Sequence, residues 1–251
     1  GVLNAAARAG SMDQLQLRLS LATSTHRNLH AENALAIIPG QSPEAIVLNA
    51  HVDAWYDGAG DNGDGLAVLL ALARHFSRPE IEMQRTLVLV ASAGHHTPGL
   101  NGPRNAVSMN PDVFESAALI FNLEHVAQRN FSPARSQFPD GYREYIADSG
   151  EAPIVAGITN QSPFLEQLFA EGVQRYGTNF VSGPSSMASG EGGGYRSAGV
   201  PIVTTMQAPP LYHTSGEVFE VVSTPGLERM ARFMAWFVKQ VDQAALTEID
   251  P

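Results

Sequence analysis

The chain of 251 residues carries 15 basic against 25 acidic side chains, a formal charge of -10, and no cysteine. A nucleic-acid or anionic-membrane partner needs a basic face, so this balance argues against both. Disulfides and thiolate ligands or nucleophiles are excluded, and no apolar run approaches the roughly 20 residues of a membrane span.

The length suits one large α/β domain or two small ones. Residues 1–11 read as a linker or part of an upstream element, and a start at Gly1 without Met suggests a processed product or a piece of a longer chain. From Asp13, leucines at 15, 17, 19 and 21 alternate with polar residues, which predicts a strand with one wet face. Glu32 to Ile38 predicts a second strand, closed by the Pro39-Gly40 turn. Ala45 to Ala50 holds Ile46, Val47 and Leu48 in succession, as in a strand buried on both faces. Leu66, Leu69, Leu70, Ala73 and Phe76 then recur at helical spacing, with Asp61 or Asn62 as N-cap. Arg85 to Ala91 and Ala117 to Asn122 predict two more buried strands. Residues 126–150 read as a polar loop or small excursion, Phe164 to Tyr176 as a helix, and Ser182 to Gly194 as a flexible Gly/Ser-rich loop that lines the candidate site. Val200 to Thr205 predicts a further strand, and Leu227, Met230, Phe233, Met234, Phe237 and Val241 a closing helix from about Pro225 to Ala245. The alternation predicts an α/β fold, a central mixed, mostly parallel β-sheet flanked by helices on both faces.

Three of the apolar strands end in histidines or acids: at His51-Val52-Asp53, at His95-His96 and at Glu124-His125. The ends of buried strands are where open α/β sheets carry their chemistry. His51, Asp53, Asp57, Asp61 and Asp64 crowd one segment, and such groups repel or desolvate one another unless positive charge sits among them. A metal site is the reading that follows. In the extended H-x-D segment the Asp53 carboxylate is placed to orient the His51 ring.

H-x-D followed by G-A-G-D-N-x-x-G resembles the zinc-dependent aminopeptidase and glutamate carboxypeptidase superfamily. Asn122-Leu123-Glu124 resembles its N-L-D/E segment, Ser189 to Pro201 the stretch before its G-I/V-P strand, and Tyr212-His213-Thr214 its Y-H-T/S. The resemblance implies a zinc exopeptidase-like, phosphorylase/hydrolase-like architecture over 1–251 as a single catalytic domain. It implies two zinc ions, one held by His51, Asp61 and Glu124, the other by Asp61, His96 and His213. Tyr212 would steady the tetrahedral intermediate. Glu191 and Tyr195, in the Gly-rich stretch, are candidates for substrate contact, Glu191 as receiver of a substrate amine. The implied substrate is a peptide terminus or small amide, and the implied location is extracytoplasmic; the oligomeric state is left open.

One motif departs from the pattern. Where the family carries Glu-Glu before G-L-x-G, this chain has His95-His96. Imidazole is a good zinc ligand, so His96 can keep a ligand's place, and His95 can move protons with an ordinary pKa near 6.5. Two carboxylates instead of three then face the metals, which weakens the second ion. Two alternatives follow: a peptidase fold that binds without turnover, and a single-zinc glutaminyl-cyclase-like acyltransferase. The formal G-x-G-x-x-G at Gly58 to Gly63 is no dinucleotide site, since seven residues separate it from its strand and Asp61 would oppose a pyrophosphate. No G-x-S-x-G or H-E-x-x-H occurs.

Overall fold

The computed structural model describes residues 8–10, 18–134, 144–185, 188–207 and 210–251. The chain divides into two compact units, residues 1–30 with 132–146, and residues 31–131 with 147–251. The larger unit is built on a seven-stranded sheet in the order β1–β3–β2–β4–β9–β7–β8. Its strands are β1 (Ala34–Ile38), β2 (Ser42–His51), β3 (Arg85–Ser92), β4 (Ala117–Asn122), β7 (Ile154–Ile158), β8 (Phe180–Pro184) and β9 (Ile202–Met206). β3, β2, β4 and β9 run parallel, β1 is antiparallel to β3, and β7 is antiparallel to β9. Register brings the parallel strands to a common edge: His51 lies opposite Ser92, and Asn49 opposite Asn122. β5 (Arg129–Ala134) and β6 (Glu144–Glu151) form a separate two-stranded sheet.

Helices cover both faces. On one side lie α1 (Asp64–Phe76), α4 (Pro163–Tyr176) and α5 (Thr224–Gln243); on the other α2 (Gly102–Met109), α3 (Pro111–Glu115) and a 3₁₀ segment, Gly190–Ala198. A short α6 (Leu246–Ile249) follows α5. The helix ends follow local chemistry. Ser162 and Ser223 accept hydrogen bonds from the Leu165 and Gly226 amides at the starts of α4 and α5, each with proline in the first turn. Gly177 closes α4 at φ 67, where the missing Cβ avoids a steric penalty.

The α5 stripe of Met230, Phe233, Met234, Phe237 and Val241 is buried against β4 and α4. Phe233 stacks within 5.6 Å of both Phe169 and Phe237. Phe233→Ala is expected to lower unfolding stability by about 3–5 kcal/mol, because neighbours on two helices cannot close the cavity; urea denaturation measures it. The end of α5 is pinned to β3 by Arg85, which donates from Nη1 to the Val241 and Asp242 carbonyls at 2.7 and 2.9 Å. Among the described residues no helix is long and apolar enough to cross a membrane.

Several expectations are corrected. Part of the predicted strand at 13–21 lies outside the described residues; Arg18 to Leu21 has no regular structure, with Leu19 and Leu21 exposed. Alternation makes a strand only where a sheet edge is there to pair with it. Asp61 and Asn62 do not cap α1, whose preceding residue is Gly63 with no side-chain cap. The 126–150 stretch contains β5 and most of β6 rather than loop alone. Ser182 to Gly194 is not loop alone: most of its described residues enter β8 and the 3₁₀ segment, where Glu191 and Gly192 are buried.

Candidate metal centre

Asp61 is buried at the centre of the cluster, on the short loop Ala59–Gly63 between β2 and α1. Its Oδ1 lies 2.9 Å from His51 Nε2 and 2.7 Å from His125 Nε2. Its Oδ2 lies 2.9 Å from His213 Nε2 and 3.2 Å from His96 Nε2. One carboxylate thus presents each oxygen to two imidazoles. Glu124, fully buried beside β4, completes a group with His51, Asp61 and His125; Asp61, His96 and His213 form a second, and His51, Asp53 and His96 a third.

The surroundings fix the rings. His51 Nδ1 sits 2.8 Å from the Asp53 main-chain carbonyl and His125 Nδ1 2.8 Å from the Gln207 carbonyl. A carbonyl only accepts, so each Nδ1 carries a proton and each Nε2 is turned to Asp61, where a proton or a cation must stand between nitrogen and carboxylate. The Asp53 carboxylate does not take the orienting role expected of it toward His51, lying 3.9 Å away. It accepts instead from the His96 amide at 2.7 Å, which seats the His95-His96 turn. Glu124 Oε2 accepts from Asn122 Nδ2 at 2.8 Å and from the Glu191 amide at 3.2 Å. Glu217 Oε2 accepts from the His213 amide at 3.0 Å. His125 and His213 both have left-handed backbones, φ 50 and 58, a conformation costing of order 1–3 kcal/mol that concentrates at functional sites.

The charges lean on one another. Burial opposes ionisation of Asp61, yet the His125 hydrogen bond and the His51 ring beside it outweigh it and hold the carboxyl well below the usual range. Burial likewise works against charge on His125, and the Asp61 hydrogen bond and charge overcome it, pushing the ring to about 9. His51 is raised by the same contest. The donor set fits a divalent cation. His51 Nε2 and His96 Nε2 are buried without a hydrogen-bond partner, beside a carboxylate that already holds two other rings. Nitrogen and carboxylate donors in groups of three and four suit zinc.

His95 stands at the edge of this cluster, its ring 4.8 Å from His51 and 4.7 Å from His96. Its Nε2 is 3.9 Å from Glu124 Oε1 and its Nδ1 4.0 Å from Glu191 Oε1. Burial lowers its pKa, opposed in part by the Glu124 charge. Glu191 is buried, pushed up to about 7 by burial, and Oε2 accepts from Asn49 and Ser92 while Oε1 has no hydrogen-bond partner. Tyr212 stacks on His213 at 3.7 Å between centroids. Tyr195 is not brought to the cluster: its ring is fully buried against Phe114, and its hydroxyl donates to Asn49 Oδ1 at 2.8 Å. It supports the network Asn49–Asn122–Glu124 beneath the site.

Two residues at the cluster have no role in the sequence reading: His125, named there only as a strand-end residue, and Trp55, half-exposed with its ring 5.9 Å from His96. Beside the cluster a cleft of about 760 Å³ is lined by apolar groups such as Val155, Val181 and Met206, with Gln207 and Ser189 at its border with the site. Gly190 shows why the Gly-rich stretch is needed. Its φ is 52 and a Cβ there would run into the Glu124 carboxylate. Gly190→Ala is expected to displace Glu124 and weaken zinc binding by about 10–100-fold, the range for disturbing a ligand's supports; equilibrium dialysis against zinc measures it.

Fold and cluster together define an α/β domain with a candidate zinc centre at its sheet edge. The sequence profile of Peptidase family M28 matches residues 33–238, and the chain belongs to that family. No match to the chain is found among curated proteins. Solved structures share the fold. BSAP, a zinc aminopeptidase from Bacillus subtilis, is 18% identical with a TM-score of 0.64 over 87% of this chain and 52% of its own. The aminopeptidase from Aneurinibacillus sp. strain AM-1 is 19% identical, TM-score 0.65, over 83% and 47%. The Legionella pneumophila LapA aminopeptidase is 15% identical, TM-score 0.65, over 85% and 55%. The chain therefore spans about half the length of these structures.

Proposed function

We propose that the chain hydrolyses a peptide terminus or small amide as an aminopeptidase or related exopeptidase, with a catalytic centre drawn entirely from the larger unit of a single catalytic domain. The observation that carries this reading is the Asp61 carboxylate, each oxygen facing two imidazoles, with the buried Glu124 beside it. His51, Asp61 and Glu124 would hold one zinc, and Asp61, His96 and His213 a second. Bound zinc would supply a Lewis acid for the scissile carbonyl and make water acidic enough to attack near neutral pH.

The chain's own groups do the rest. His95 takes the proton of the attacking water and returns it to the leaving amine; burial, by lowering its pKa, keeps the ring neutral and able to accept. Asp53, through the His96 amide, keeps the turn carrying both histidines in place. Tyr212 donates its hydroxyl to the developing oxyanion. Glu191 Oε1, lacking a hydrogen-bond partner, receives the substrate amine, with Tyr195 holding Asn49 against it. The apolar cleft takes an apolar side chain. The working location is extracytoplasmic.

The test is to assay metal-stripped and zinc-supplemented protein on aminoacyl and peptide amides, with free and acetylated amino termini, while counting bound zinc. Expected are zinc-dependent hydrolysis of the free-terminus substrates only, and two zinc ions per chain. One zinc with cyclisation of an N-terminal glutamine would support the acyltransferase reading instead, and zinc uptake without turnover a binding module.

A further inference from the structure

His51 and His125 are held alike. Each donates Nδ1–H to a main-chain carbonyl and presents Nε2 to the same oxygen of Asp61. Metal-binding histidines are typically oriented this way, the second nitrogen fixed by a carbonyl or carboxylate so that the first is free to ligate. Two acceptors facing each other at 2.7–2.9 Å need a proton or a cation to reconcile them. Nitrogen and oxygen ligands sharing one zinc, each about 2.0–2.2 Å from it, lie at about this spacing or slightly more.

The chain also aligns His125 with Asp61 by a second route. Asn62 donates to the Leu123 carbonyl at 2.8 Å and accepts from the His125 amide at 3.2 Å. Asp64 Oδ2 accepts from the Val126 and Ala127 amides at 2.9 and 2.8 Å. The loop that bears Asp61 thus grips the main chain on both sides of His125, and it does so where that backbone is left-handed. A ring whose only task was to fill space would need none of this.

We propose that His125 is a fourth protein ligand of the zinc held by His51, Asp61 and Glu124, so that this position is closed by protein atoms while Asp61, His96 and His213 leave theirs open to substrate. The inference rests on the two-zinc reading above and goes beyond the three ligands per ion that the family resemblance supplies. Four-ligand closed sites hold zinc as structure; three-ligand sites keep a place for water or substrate. The two positions therefore differ in affinity, and chemistry belongs to the His96–His213 side.

Zinc titration of the metal-stripped protein by calorimetry should resolve a tight and a weaker class. His125→Ala should weaken the tight class by at least about 100-fold, more than is lost when a ligand's outer partners are removed, and leave the weaker class in place. Because that variant can lose the fold along with the ligand, X-ray absorption of His213→Ala with one equivalent of zinc provides a second reading. Two imidazoles on the metal are expected, and one would overturn the proposal. Unchanged tight binding in a folded His125→Ala chain would overturn it as well. A wild-type chain that takes up no zinc would instead overturn the metal-centre reading on which the proposal stands.

Discussion

An Asp61→Asn chain is expected to bind zinc at least about 100-fold more weakly at both positions and to lose measurable turnover, since the loss of a ligand costs more than the 10–100-fold of an outer partner. Each oxygen of the carboxylate faces one pair of histidines, so the substitution strikes both halves at once. The amide has nearly the same shape but brings an NH₂ group where two imidazole nitrogens converge, and it removes one of the two carboxylate charges assigned to the metals. Elemental analysis after dialysis, with circular dichroism to verify the fold, measures the effect. Full retention of two zinc ions would show that Asp61 does not bridge.

The second large effect separates metal binding from proton transfer. His95→Ala is expected to lower kcat by about 10²–10⁴-fold, the usual weight of a positioned acid–base group, with zinc stoichiometry unchanged. The ring stands about 4 Å from both Glu124 and Glu191, yet it belongs to none of the three metal-capable groups. Should zinc content fall together with kcat, His95 is a ligand and the proton carrier lies elsewhere. Glu191, whose Oε1 has no hydrogen-bond partner, would be the next group to replace.

Much of the candidate site was legible because His51, the His95-His96 pair and Glu124 follow the ends of apolar strands, where an abrupt change of polarity marks the sheet edge. β2, β3 and β4 were read within a few residues, as were α1, α4 and α5, whose periodicity is sustained. β7 and β8 were missed: each has five residues, glycine interrupts both, and a valine of each faces outward. Glycine at 190 and 192 read as looseness, yet Gly190 fits against Glu124 and Gly192 against Thr204 because neither has a side chain. His125 stands in the sequence at the end of a buried strand but receives no role there, because the family motif ends at Glu124. Its signal was a histidine immediately following a buried strand and a ligand, and the left-handed turn that swings it to Asp61 leaves no mark in composition.

Gln207 touches both the cleft and the His125 ring. Its carbonyl sets the tautomer of His125, its side chain accepts from the Gln128 amide, and the same residue borders the apolar cleft. With the cleft as the proposed substrate site and His125 as the proposed ligand, a side chain pressing on Gln207 would act on the hydrogen bond that aims the ring at the metal. Occupancy of the cleft and zinc affinity would then be linked, and the linkage would be reciprocal: whatever factor the bound side chain contributed to holding zinc, zinc would contribute equally to holding the side chain. On the proposed function, substrate selectivity would in that sense be a property of the metallation state.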